Sequence, residues 1–360
     1  FDLDRLASEL DRGVEDPDIV IGSQDDRSTL IEPSFVGRRD ELQELDRQLE
    51  RSLAGEPSLV LLEGLSGSGK SRLLLEFYQH AISREFQLFR GAGSTDSARQ
   101  ALSLLNGVVD DFISASTGDS RLVNEFLEQF DGDLGCLVSI LPKLASVLPV
   151  PADSLQGPEL FAENRQLRTL SSFLYALGSQ SNPALILLDD CQWADDLTYK
   201  LLKRLTLEAT LDQSRPVMFL LACRTEEVGE NHALRELRTT GHIELSDLSD
   251  DEVTLLAESM AGNLPAAAIQ MIVDAAGGSP FMASAVVRGL VESDALTRSD
   301  SGWVIDEVAF ADCQSSNYAG EFLKRRLDLL SQPTLELLMT GAVLGKEFDF
   351  AEAIFLSGQD

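Results

Sequence analysis

The chain has 360 residues, enough for two or three domains, and its 44% hydrophobic and 25% charged residues are the balance of a globular, soluble protein. Asp and Glu number 60 against 29 Lys and Arg, and the net charge of −31 argues against a nonspecific nucleic-acid surface. No apolar run approaches ~18 residues and no basic-then-apolar start reads as a signal peptide, so neither a membrane span nor secretion is expected. Cys136, Cys191, Cys223 and Cys313 are scattered without C-x-x-C pairing, and only His80, His232 and His242 stand beside them. A reducing cytoplasm, with no cysteine metal site and no disulfide framework, is the expected setting. Because the chain opens on Phe1, it is expected to be a piece of something longer.

Residues 1–33 carry Asp2, Asp4, Glu9, Asp11, Glu15, Asp16, Asp18, Asp25 and Asp26 with little apolar periodicity, and read as an acidic linker. Phe35-Val36-Gly37-Arg38 then introduces a helix in which Leu42, Leu45, Leu49 and Leu53 recur three or four apart, stopped by Gly55-Glu56-Pro57. The apolar run Leu59-Val60-Leu61-Leu62 leads into Gly64-Leu65-Ser66-Gly67-Ser68-Gly69-Lys70-Ser71. That stretch is G-x-x-x-x-G-K-S, the phosphate-binding P-loop pattern, and Leu73, Leu74, Leu75, Phe77 and Tyr78 follow it at mostly helical spacing. Strand, glycine-rich turn and helix are the context the pattern requires. The glycines let successive N–H groups, those of Ser66, Gly67, Ser68 and Gly69 among them, point into one concavity, and the helix starting at Lys70 adds its positive end. Lys70 is expected to reach the β- and γ-phosphates, and the Ser71 hydroxyl to ligate Mg²⁺.

A second strand is expected at Phe86–Arg90, before Gly91-Ala92-Gly93. Residues 97–180 read as mostly helical: one face from Leu102 to Phe112, a helix from near Arg121, a third over Leu137–Leu148 interrupted by Pro142, and a long helix from Glu159 to Leu177. The strand Ala184–Leu188 follows, then a helix after Trp193, a buried strand Val217–Cys223 and a short one at His242–Leu245. None of these strands alternates with polar residues, as in a parallel sheet covered on both faces. Ser249-Asp250-Asp251-Glu252 is a capping box opening a helix to about Met260. A second helix runs from about Pro265 to Gly277-Gly278, and a third starts at Pro280 and runs to about Val291. Trp303-Val304-Ile305 reads as a short strand, and helices resume from Glu321 through Leu344.

Hydrolysis needs more than a phosphate cradle. Leu185-Ile186-Leu187-Leu188 ends in Asp189 and Asp190. Asp189 is expected to hold Mg²⁺ through water, and Asp190 to orient or deprotonate an attacking water. Arg224 ends the next strand, on the crevice side of such a sheet, and is expected to face the γ-phosphate, whereas Trp193 is expected to pack. Neither an H-R-D-type loop nor D-F-G is present, so no kinase catalytic site is expected within these residues.

From about residue 34 to 360 the chain resembles the STAND class of P-loop ATPases, and more narrowly the AAA-type module of bacterial signalling proteins: LuxR-type regulators, adenylate cyclases, and serine/threonine or histidine kinases. Phe35 to Leu42 is similar to the family's "FVGR-x-x-EL", Gly64 to Ser71 to its Walker A, and Asp189 to Asp195 to its extended Walker B. Arg224 matches its sensor arginine, Gly278-Ser279-Pro280 its G-x-P, and Phe322–Phe348 the first part of its winged helix. The stretch from Asp2 to Thr29 resembles the tail that joins a kinase domain to this module. The resemblance implies an α/β fold with a parallel sheet in the order 5-1-4-3-2, helices on both faces, a small helical domain and the start of a winged helix. It implies domains at 34–246, 247–300 and 301–360 after the linker. It implies ATP or ADP with Mg²⁺, Val36 and Arg38 flanking the adenine, and Pro280 packing on it. The partners it implies are the nucleotide, other domains of the parent chain, and a second copy on ATP binding. The function expected is a slow, Mg²⁺-dependent ATPase switch in a multidomain kinase. The alternatives are a non-hydrolysing module of a LuxR-type regulator and a DNA-associated ATPase of the origin-recognition kind.

Overall fold

The computed structural model describes residues 30–56, 58–93, 101–118, 120–149, 162–208, 215–299, 302–315, 330–344 and 350–358. Strands β1 (Ser58–Gly64), β2 (Gln87–Ala92), β3 (Ala184–Asp189), β4 (Val217–Arg224) and β5 (Gly241–Leu245) form one sheet in the order β2-β3-β4-β1-β5. Every pairing is parallel, and the order is 5-1-4-3-2 read from the other edge. All of β1 is buried, as is β4 as far as Cys223, which is why these strands carry unbroken apolar runs.

Successive side chains of a strand point to opposite faces, so β1 feeds two cores. Val60 and Leu62 join Leu45 and Leu49 of α1 (Arg39–Leu53) and Leu73 and Phe77 of α2 (Lys70–Ser83). Leu59 and Leu61 join the opposite core with α3 (Asn106–Gly118), α4 (Ser120–Gln129), α5 (Leu134–Ile140), α6 (Ala162–Ala176) and α7 (Asp196–Glu208). There Phe112, Phe126 and Phe173 meet with ring centroids 5.0 to 6.0 Å apart.

One expectation within 97–180 needs correction. The face from Leu102 to Phe112 is not one helix: Leu102 has φ 61, Ser103–Leu105 form a 3₁₀ turn, and α3 starts at Asn106. The reason is backbone contact with β2. A Cβ on Gly91 would lie 1.9 Å from the Leu104 carbonyl oxygen, and one on Gly107 would lie 2.3 Å from that of Arg90. The interruption expected at Pro142 is present: α5 ends at Ile140 and a 3₁₀ turn runs over Pro142–Ser146, because proline can neither donate to nor fit within a continuing helix.

Helices α8 (Asp250–Ala261), α9 (Ala266–Ala276) and α10 (Pro280–Glu292) surround a separate core of Val253, Leu256, Ile272, Val286 and Leu290. The capping box of α8 is formed in both directions between Ser249 and Glu252. Gly277 closes α9 in the left-handed region at φ 53, and Pro280 opens α10. The strand expected at Trp303 is half of a hairpin, β6 (Leu296–Ser299) against β7 (Gly302–Ile305), followed by α11 (Glu307–Ser315). Further helices are α12 (Gln332–Leu344) and α13 (Phe350–Ser357). The acidic stretch 1–29 and the residues Phe322 to Leu329 of the expected winged helix lie outside the described residues. No helix among the described residues is long and apolar enough to cross a membrane.

The lead-in 30–36 crosses between the cores. Phe35 packs on the sheet core, whereas Leu30 and Val36 pack on the helical core. Ile31 N–H donates to the Met260 carbonyl at 3.0 Å, Ser34 N–H to Ser259 Oγ at 3.1 Å, and Arg288 pairs with Glu32 at 2.8 Å.

Candidate functional site

The site lies where β1 gives way to α2. Gly67 and Gly69 stand at φ 80 and 92, a region that a side chain would strain. Gly69 caps α2 without any side-chain acceptor, which leaves the positive end of the helix to the cavity. Lys70 folds back along the loop, donating from Nζ to the carbonyls of Gly64 at 2.6 Å and Leu65 at 2.9 Å. Burial pulls its pKa below the usual lysine value, against the opposing pull of Glu226 and Asp189.

A cavity of about 420 Å³ opens here, within the range of small-ligand pockets. Its wall brings together loop residues 66–71, Val36 and Arg38 from the lead-in, Arg224 from β4, and Pro280 with Phe281 from α10. Arg38, Lys70, Arg72 and Arg224 all face it, a gathering of cations in a chain of net charge −31. Arg38 stands at φ 60 and is buried. It donates to the carbonyls of Ser68, at 3.2 Å, and of Ser246 just after β5, tying the loop to the next strand end.

Three expected site residues are not on that wall. Gly64 lies beneath the loop, and a Cβ there would meet Ser68 Oγ at 2.6 Å. Asp189 ends β3 and Asp190 follows it, its N–H donating to Asp189 Oδ1 at 2.8 Å. Asp190 is 3% exposed and stands at φ 51. Its Oδ1 lies 3.2 Å from Arg224 Nε and accepts from Gln192 Nε2 at 3.0 Å. The carboxylate expected to orient or deprotonate an attacking water is thus engaged with an arginine and a glutamine. Arg224 also pairs with Glu227 at 3.2 Å and lies 4.9 Å above the Trp193 ring. Trp193 does pack, and its partner is this arginine.

Several contributors are given no role by sequence reasoning. Gln192 bridges two strand ends, donating to Asp190 and accepting from Arg224 N–H at 3.2 Å. Tyr199 holds that turn, donating toward the carbonyls of Cys191 and Gln192, each at 3.0 Å. Glu226 accepts the Ser66 N–H at 2.8 Å. Phe281 donates its N–H to the Gly67 carbonyl at 3.4 Å. Gln192 stands within the matched stretch Asp189 to Asp195, but nothing in the spacing tells which strand ends it joins. Glu226 carried no signal that set it apart in so acidic a chain.

The donors fit a polyphosphate: loop N–H groups, an ammonium and guanidinium groups converge on one concavity. Two oxygen groups of the kind Mg²⁺ binds are present, the Ser71 hydroxyl on the wall and the Asp189 carboxylate at the end of β3. Residues 34–220, more than half of the chain, match the family described as "AAA ATPase domain". The chain belongs to that family. This AAA ATPase domain is 24% identical over 182 residues to Hybrid signal transduction histidine kinase G of Dictyostelium discoideum, and the match spans 49% of the chain and 5% of that protein. Among solved structures, it is similar to Cdc6p from Pyrobaculum aerophilum, with TM-score 0.45 and 15% identity over 87% of this chain and 74% of that one. It is also similar to the Signal Transduction ATPase with Numerous Domains (STAND) protein with a tetratricopeptide repeat sensor from Pyrococcus horikoshii, with TM-score 0.43 and 12% identity over 92% and 38% of the two chains. A third is the Orc1 protein of Aeropyrum pernix in complex with DNA, with TM-score 0.42 and 15% identity over 91% and 85%.

Proposed function

We propose that this AAA ATPase domain is a STAND-type switch: it binds ATP with Mg²⁺, hydrolyses it slowly, and reports the bound nucleotide to the rest of a signal-transduction protein. The observation that carries this reading is the two-sided cavity. Its floor is the P-loop on the sheet, and its roof is the start of α10 in the helical group, which touches the loop through Phe281 N–H and Ser279 Oγ, each 3.4 Å from the Gly67 carbonyl. A ligand held there contacts both cores, and only such differential contacts shift a conformational equilibrium. We assign 34–246 to the nucleotide-binding domain, 247–300 to the helical lid and 301–360 to a linker with a partial winged helix. The bonds of Ile31, just ahead of that first domain, and of Ser34, its first residue, attach the lead-in to the lid. The kinase relative supports a multidomain kinase as the parent.

In this reading the loop N–H groups of 66–71 and Lys70 hold the phosphates, while Val36, Arg38 and Pro280 flank the base. Ser71 and Asp189 would hold Mg²⁺, which supplies charge neutralisation at the transferred phosphate. Asp190 would orient the water after leaving Arg224, and Arg224 would turn to the γ-phosphate. Both side chains are engaged with each other at 3.2 Å, which fits slow turnover.

That pair also favours a second reading, a module that holds nucleotide and scarcely turns it over. Replacing Asp190→Asn separates the two. Phosphate release from the purified chain is expected to drop at least about tenfold, with nucleotide affinity nearly kept. Release that is negligible in the parent and unchanged in the variant would leave the holding module. Failure of the chain to bind either ADP or ATP with Mg²⁺ would remove both readings.

A further inference from the structure

We propose that Glu226 is a specificity-determining residue that makes this site prefer a nucleoside diphosphate to a triphosphate, by occupying the loop N–H that a terminal phosphate needs. The inference rests on the nucleotide reading of the site and extends it to which nucleotide is favoured.

The Glu226 carboxylate accepts the Ser66 N–H at 2.8 Å, and Ser66 is on the cavity wall. Backbone N–H groups of such a loop are the donors that phosphate oxygens use. A carboxylate on one of them is an anion in an anion's place. Lys70 marks where along the nucleotide this happens, since the loop lysine serves the β- and γ-phosphates. The Glu226 carboxylate also acts on the Lys70 ammonium, opposing the effect of its burial. Glu226 therefore guards the far end of the phosphate chain.

The chain geometry links this contact to the arginine. Glu226 sits in the 3₁₀ turn Thr225–Glu227, which begins directly after Arg224. Arg224 is held by Asp190 and by Glu227 of that same turn, each at 3.2 Å. A diphosphate can use the inner loop donors and leave the turn in place. A third phosphate must displace the Glu226 carboxylate or lie against it, like charge to like charge. Displacing it shifts the turn that carries Arg224, so the arginine becomes available as the extra phosphate arrives. Glu226 is exposed, so the repulsion is open to salt screening.

The test uses the whole chain, its E226Q and E226A variants, and E230Q as a control that removes an exposed acid six residues beyond Arg224. A fluorescent ADP analogue is displaced by ADP and by ATP, each with Mg²⁺, at about 50 and about 500 mM salt. Thermal melts establish that each variant is folded. In E226Q and E226A the affinity for ATP relative to ADP is expected to rise about tenfold at low salt and less at high salt, with E230Q unchanged. If the ratio is unmoved in both variants, or both nucleotides shift equally, the role of Glu226 is overturned while the nucleotide site stands. If the parent chain binds neither nucleotide, the site reading falls and this inference with it.

Discussion

Lys70 is where solution conditions act most directly on the site. It is half buried among loop carbonyls, and burial lowers its pKa from the ordinary lysine value. Its positive charge is present below that lowered pKa and lost as pH rises through it. Phosphate favours the charged form, so binding takes up a proton within the window between the lowered value and the ordinary one. Nucleotide affinity is accordingly expected to fall with rising pH before the ordinary lysine range is reached, by up to about tenfold per pH unit where the charge is being lost. An ADP titration across alkaline pH checks this, and an affinity flat up to the ordinary lysine range would count against it. For the empty fold the sign is opposite. Within that window the unfolded chain binds more protons, so stability rises slightly with pH. Neighbouring thiols play no such part: burial drives Cys223 up to about 12 and Cys191 well above its usual value.

At the scale of elements, the junction of β2 with the start of α3 is fixed by backbone touching backbone. A methyl group on Gly91 would meet the Leu104 carbonyl oxygen at 1.9 Å and Leu188 Cδ2 at 2.9 Å, whereas one on Gly229 would meet nothing within 4 Å. Gly91→Ala is therefore expected to lower stability by about 3 kcal/mol, and Gly229→Ala by less than about 0.5 kcal/mol, in urea unfolding. Equal effects would show that the close approach does not matter. This junction is also where sequence reading failed. Leu102, Leu104 and Leu105 have helical spacing with Val108 and Val109, and all are buried, but periodicity reports burial and carries no record of a carbonyl meeting a glycine. Strands β1, β3 and β4 were legible because burial on both faces leaves an unbroken apolar signature, whereas the edge strands β2 and β5 are only partly buried and alternate with polar residues, against expectation; α8 to α10 were legible because their caps are written in Ser249, Gly277 and Pro280. Strand β6 was not: of Leu296-Thr297-Arg298-Ser299 only Leu296 is buried. The loop itself was legible from its spacing. The Asp190–Arg224 pairing was not, since it depends on β3 and β4 running side by side, with Leu188 opposite Leu221.

For the whole molecule, the cavity is shared between parts that are far apart in sequence. The loop at 66–71, the lead-in at 32–38 and the start of α10 close around it. Bound ADP is expected to slow amide exchange in all three together, which exchange mass spectrometry with and without nucleotide would measure. Protection confined to the loop would mean that the helical group takes no part. The lead-in has one more consequence. Ile31, Ser34 and Glu32 are fastened to Met260, Ser259 and Arg288 of the helical group, and Leu30 is packed on its core. Residue 30 is thus fastened to the helical group, the roof of the cavity. In the switch proposed above, a pull at residue 30 would act as a lever on the roof, and a motion of the roof would be felt at residue 30 as a change in tension.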